Sequence, residues 1–321
     1  KEKYFHYASL SEIMSAGFRG VDLFFIISGF IITLVVSESA LTGFKAAKKF
    51  AIRRIFRIFP LYVLLFTTMF LISTYTSIGA HRSFDGSIRE FLTNLLLLPR
   101  DDLTTYMPVS AWTLTHELMF YALSLFSFIS MRLYWAVLVF WTAVCLLSFF
   151  VDFKPLGWGM QLSLMNCYFF LGALCAHFRG RIDVNIRKIV ACGALSFLIL
   201  AFAIELGCIQ SVILKLYLSI VYAIGFFFLV FTLGDLNWKL GRHFNYLTYL
   251  GKISYSMYLV HYPILVILAL LIASDDRSRS AMILFIFLSL MSSFVCAGLL
   301  YRFVERPGIR VGKILTPAPP G

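Results

Sequence analysis

Stretches of about 20 mostly apolar residues recur along the chain between short polar segments, and about 20 residues of helix cover a bilayer's hydrocarbon. Nine such stretches occur, at 20–37, 58–77, 111–130, 133–151, 161–177, 188–208, 212–233, 252–273 and 281–303. The pattern predicts an all-α fold, a polytopic transmembrane helical bundle forming one domain over 1–321. No soluble domain, internal repeat or low-complexity linker interrupts it. Between the second and third stretches, 87–98 reads as a short helix lying on the membrane surface.

Composition agrees. The 321 residues are 60% hydrophobic and 14% charged, more apolar surface than a soluble domain of this size can hide. A net charge of +12 could suggest nucleic acid, but the basic residues sit in short loops between apolar stretches, so no nucleic-acid partner is expected. Segment 38–57 carries six Lys/Arg, 178–188 four, 234–252 three and 302–321 four, with Arg132 between the third and fourth stretches. That side holds 18 basic residues against nine opposite, so the positive-inside rule makes it cytoplasmic. The other side carries most of the acids, including Asp85, Glu90, Asp101, Asp102, Asp275 and Asp276.

The expected location is an inner membrane, with Gly321 in the cytoplasm and Lys1 outside. Nothing before residue 20 could carry an N-terminus across, so one further spanning helix is expected ahead of Lys1. The six cysteines (Cys145, Cys167, Cys175, Cys192, Cys208, Cys296) lie in or at the ends of apolar stretches, without C-x-x-C pairs or zinc-finger spacing. They read as membrane-packed thiols, and no metal is expected.

A charge inside a membrane helix costs roughly 2.5–3.5 kcal/mol on insertion scales, so each one must face protein, water or a ligand. Asp22, near the outer end of the first stretch, could orient a catalytic group or simply favour the helix N-terminal dipole. Lys45, Lys49, Arg53 and Arg57 recur every four residues and stack on one helix face, which Lys48 and Arg54 widen with no acid to offset them. That face suits phosphate, which guanidinium forks grip bidentately; the alternative is a topogenic patch on anionic lipid headgroups.

In Ala111–Tyr121, Thr113 and Glu117 stand one turn apart, with Trp112 and His116 paired likewise on an adjoining face. A carboxylate beside an imidazole in apolar surroundings is the material of acid/base catalysis, or else a buried structural pair; either way Glu117 should point into the bundle. His261 follows a hydroxyl-rich helix start, and Pro263 should bend that helix. A lone His among aromatics also serves as an interhelical hydrogen-bonder.

The segments GVDLFFIISGFIIT (20–33), RRIFRIFPLY (53–62), AWTLTHELMFY (111–121), FFLGAL (169–174), LGKISYSMYLVHYP (250–263) and RFVERP (302–307) resemble, in order, signature segments of the acyltransferase-3 family of integral membrane acyltransferases. The resemblance implies transfer of an acyl group, commonly acetyl, from cytoplasmic acetyl-CoA or another acyl-CoA to a hydroxyl of a cell-surface or exported glycan. It implies ten core helices, matching nine plus the one expected ahead of Lys1. It maps the family's R-x-x-R element onto Arg54 and Arg57 and its W-T/S-L-x-x-E acid onto Glu117. The family's proposed catalytic His, in its first helix behind an Arg, has no counterpart here, and the role does not pass to His6. The SGNH-type domain that some relatives append is likewise absent from this sequence.

The expected site therefore has Lys48, Lys49, Arg53, Arg54 and Arg57 holding the donor's phosphates, with Glu117, His116, Asp22 and His261 as catalytic candidates. The partners are a glycan or lipid-linked saccharide acceptor and membrane lipids; homo-oligomerisation is left open by the pattern. A secondary transporter or exporter of a polysaccharide or anionic solute is the competing class, since intramembrane Asp, Glu and His also build proton relays. Against it, the sequence shows neither two matching halves nor paired Gly/Pro interruptions. A non-catalytic envelope scaffold is the third reading.

Overall fold

The computed structural model describes residues 19–39, 42–76, 87–100, 106–151, 159, 161–181, 183–207, 212–234, 245–272 and 279–317. Lys1, His6, Asp85, Asp101, Asp102, Asp275, Asp276 and Cys208 lie outside them. The described residues are helices, turns and short irregular connections, without a strand. Six helices among them are long and apolar enough to cross a membrane. The chain is a multi-pass, all-helical membrane protein, and it divides into two compact units.

The first unit comprises residues 1–43, 117–155 and 161–238. Within it, α1 (Arg19–Ser37) lies against α6 (Asn166–His177) almost without intervening side chains. Gly29 meets the Phe169 carbonyl, and Gly172 meets the Ile26 carbonyl and the Phe30 amide, so a methyl at either glycine would overlap backbone. Small residues permit this approach, and in lipid such close packing is what draws helices together. Phe169 then stacks on Phe25 and on Phe120, 4.7 Å from each ring. Beside them run α5 (Met131–Val151), α7 (Val184–Gly207) and α8 (Val212–Leu233). The last two pack through Leu198, Ala201, Leu218 and Tyr222.

The second unit comprises residues 44–116, 156–160 and 239–321. Its long members are α2 (Gly43–Thr76), α9 (Asn245–Ile272) and α10 (Arg279–Leu300). A π-helical turn, Tyr301–Glu305, carries α10 directly into α11 (Arg306–Ile314). The Tyr255 hydroxyl donates to the Ile58 carbonyl at 2.8 Å, and the Ser256 hydroxyl donates to Glu305 at 2.6 Å, tying α9 to α2 and to the π-helical turn at one level.

Helix α4 (Trp112–Ser124) has its first turn in this unit and its remainder, from Glu117, in the other.

Three expectations need correction. Segment 38–57, counted among the loops, is helical from Gly43, so the helix face expected over 45–57 forms the first third of α2, which continues unbroken through Pro60. The segment after 302 is likewise helical as far as Ile314. Stretches 161–177 and 111–130 are not single spanning helices; α6 has 12 residues and α4 has 13, and α4 is flanked by 3-10 turns at Val109–Ala111 and Leu125–Phe128. Twelve or 13 residues rise only about 18–20 Å, short of a roughly 30 Å hydrocarbon layer. Such broken helices survive at membrane depth only where protein surrounds them.

Candidate active site

Helix α2 has 34 residues and is therefore about 51 Å long, roughly 20 Å more than hydrocarbon requires. The surplus is its basic end. The helix Ile283–Ile314, 32 residues, overshoots similarly and runs antiparallel to α2 there. Pro60 cannot donate to the Phe56 carbonyl, and Gly308 packs against that freed oxygen, so close that an added methyl would sit 2.7 Å from it. One turn on, Gly312 lies against Phe56 and Arg53. The clamp is completed by Arg53, which donates from Nε to Thr316 Oγ1 at 2.9 Å and from Nη2 to the Thr316 carbonyl at 3.1 Å. Lys49 donates to the Pro317 carbonyl at 3.3 Å. Of the five predicted phosphate ligands, Arg53 and Lys49 thus face the C-terminal segment; Arg54 stacks over the Phe50 ring, 5.2 Å from its centre, and Lys48 and Arg57 are exposed. Glu305, turned inward by the π-helical turn and buried, acts electrostatically on Arg57.

Just above this platform the backbone leaves helical form. Helix α3 (Ile88–Leu95), the run expected to lie on the membrane surface, packs one face on α2: Phe91 meets Phe66 and Phe70, 5.3 and 5.1 Å between centroids, while Ile88 and Leu92 are exposed. Asn94, fully buried, is the knot. Its side chain donates to the Glu90 carbonyl at 3.2 Å and accepts from the Met107 amide at 3.1 Å, while its own carbonyl accepts from the Tyr62 hydroxyl at 2.5 Å. Arg100 pairs with Glu90 at 3.1 Å and lies over the Tyr106 ring. Non-helical backbone beside a spanning helix is tolerated only when buried in protein or lining a wet cavity. Neither Asn94 nor the Glu90–Arg100 pair was singled out from sequence; the available signal was three polar residues within a short amphipathic run.

This segment feeds α4. The Ser110 hydroxyl donates to the Leu259 carbonyl at 3.3 Å, fixing the start of α4 on α9. Thr113 and His116 are buried, and His116 meets Trp112 edge-on at 5.5 Å, as the spacing implied. On α9, His261 Nδ1 lies 2.5 Å from the Tyr258 carbonyl. A carbonyl only accepts, so Nδ1 is the donor in this contact.

In the first unit Glu117 is buried, as expected, and accepts from the Tyr121 hydroxyl one turn on. Asp22 is also buried, but with a partner that sequence reasoning passed over. Arg19 Nη1 lies 3.6 Å from its carboxylate, while Nη2 pairs with Glu205 at 3.0 Å and Nη1 donates to Ser219 at 2.8 Å. The Tyr222 ring completes the cage, 4.8 Å from the guanidinium. The signal in the chain was an Arg one turn ahead of Asp22 and a lone Glu closing an apolar stretch. Among the described residues, no group of three His, Cys, Asp or Glu is placed to hold a metal.

Fold and polar groups together define a multi-pass helical membrane protein with buried carboxylates and a buried imidazole among its described residues. A family model described as an acyltransferase domain matches residues 3–302, and the chain belongs to that family, acyltransferase-3. Searches of curated proteins and of solved structures gave no match.

Proposed function

We propose that the protein moves an acyl group, acetyl in the simplest case, from cytoplasmic acyl-CoA to a hydroxyl of a cell-surface or exported glycan across an inner membrane. The observation that carries this reading is the basic end of α2, a 34-residue helix longer than hydrocarbon requires, which runs directly into the stretch where Tyr62 holds Asn94. Arg54 and Arg57 grip the donor's phosphates, while Lys48, Lys49 and Arg53 add to the positive field. The pantetheine arm then leads the thioester toward the α4 and α9 side chains.

The acceptor hydroxyl oxygen attacks the thioester carbonyl, its proton passes to an imidazole nitrogen, and the carbon–sulfur bond breaks. The proton leaves with the CoA thiolate, so no further reactant is consumed. His261, whose Nδ1 donates to the Tyr258 carbonyl, would take the proton at Nε2, and His116, set edge-on to Trp112, is a positioning residue. Glu117 is the carboxylate we assign to proton transfer, and Asp22, paired with Arg19, is a second acid we assign to handling the acceptor.

Acyl transfer measured in membrane vesicles tests the docking. The Arg54→Ala/Arg57→Ala protein should insert normally and show a KM for acyl-CoA raised about ten-fold or more, each exposed phosphate contact being worth roughly 1 kcal/mol. Unchanged acyl-CoA kinetics in the double variant would remove the docking assignment.

A further inference from the structure

The six cations of the α2 stripe look equivalent in sequence, but α11 sorts them. Contacts fix the pair as antiparallel: Gly308 meets Phe56 and Pro60, Gly312 meets Phe56 and Arg53, and Thr316 meets Arg53. At about 100° per residue, the contact line on α2 runs through Lys49, Arg53, Phe56 and Pro60. From that line Arg57 lies roughly 70° and Arg54 roughly 130° round in the sense of increasing residue number, whereas Lys45 and Lys48 lie on the opposite flank. On α11 the contact line runs through Gly308 and Gly312, and Lys313 and Arg306 lie roughly 120–140° round in the same sense, with Arg310 on the face turned away from α2. Two right-handed helices packed antiparallel place equal senses of rotation on the same side of the pair. Arg54 and Arg57 therefore share one flank with Arg306 and Lys313.

We propose that α11 is the second wall of the phosphate site: Arg306 and Lys313 face a polyanionic phosphate ligand from across the groove whose other wall is Arg54 and Arg57. The proposal rests on the acyl-CoA reading above and adds residues to it. Its physical basis is charge. No acid occurs in the sequence of 43–62 or 306–321, so each wall is cationic along its length, and the two together carry four cations on one flank. Like charges on facing walls repel, and a bound polyphosphate relieves the repulsion. Glu305, a carboxylate at the junction, is buried and accepts from Ser256. The opposite flank of α11 is apolar and exposed, with Val311 and Ile314, which suits lipid and sets the groove's orientation.

Phosphate could also arrive as an anionic lipid headgroup, and the test separates the two sources. Coenzyme A and adenosine 3′,5′-bisphosphate are titrated into the full-length protein in nanodiscs of phosphatidylcholine, then with phosphatidylglycerol added. Arg306→Ala/Lys313→Ala should raise both Kd values about ten-fold or more and flatten their salt dependence, while Lys45→Ala stays within about two-fold. Arg306→Gln/Lys313→Gln, which keeps side-chain length, should do the same, and both pairs should keep the wild-type melting temperature because α11 docks through Gly308 and Gly312. Wild-type coenzyme A affinity in these variants overturns the second wall and leaves the acyl-CoA reading standing. So does a loss confined to phosphatidylglycerol retention, which assigns the flank to lipid. Failure of the wild-type protein to bind coenzyme A sinks both.

Discussion

Replacing Asn94 by leucine keeps the side chain's bulk and removes both of its polar atoms, at the point where α3, the Met107 amide and α2 meet. The cost follows from what is left behind. The Met107 amide, buried, loses its acceptor at 3.1 Å, and an orphaned buried donor costs about 1–3 kcal/mol. The Asn94 amide's own donation is local, to the Glu90 carbonyl within the same helix, and its loss adds little. The Tyr62 bond goes to the Asn94 backbone and survives the substitution.

Tyr62→Phe is therefore a separate perturbation of about 0.5–1.5 kcal/mol, and the two should add to within about 0.5 kcal/mol. At roughly 2 °C per kcal/mol for a chain of this size, Asn94→Leu should lower the melting temperature in detergent by about 2–6 °C. Acyl transfer should lose kcat with little change in the KM for acyl-CoA, because the platform of α2 and α11 is untouched while the start of α4 is loosened. A wild-type melting temperature for Asn94→Leu, or a double variant no worse than either single, would refute the claim that this residue pins the segment at membrane depth.

Two further outcomes are expected. Glu117→Gln should insert and melt like the wild type but turn over about 10²-fold more slowly if the carboxylate supports proton transfer, read by single-turnover acyl transfer. Gly172→Ala should destabilise by about 1–3 kcal/mol, since its methyl meets the Ile26 backbone, whereas Gly193→Ala, with open space around it, should match or slightly exceed wild-type stability; thermal scans of the two compare them directly.

The helical class and the membrane were legible because about 20 apolar residues in a row have few other solutions, and those runs need no tertiary information. The basic face at 45–57 and the buried Glu117 followed from the i, i+4 geometry of a helix, which holds before anything packs. The W-T-L-x-x-E and R-x-x-R matches carried the family.

What the chain could not disclose is which polar groups meet. Arg19 and Glu205 are 186 positions apart, and Ser256 and Glu305 are 49 apart, so neither pair leaves a local period. An amphipathic run such as 88–95 has the same pattern whether its apolar face meets lipid or α2. Two apolar stretches of sufficient length proved to be broken helices, because hydropathy measures the solvent a segment prefers and not whether its backbone continues. Propensity, period and hydropathy are properties of neighbours in sequence; the division of equivalent cations into those that hold the C-terminal segment, Lys49 and Arg53, and those that do not arises only when a second helix, brought close by two glycines and a proline-freed carbonyl, gives one face of α2 a partner.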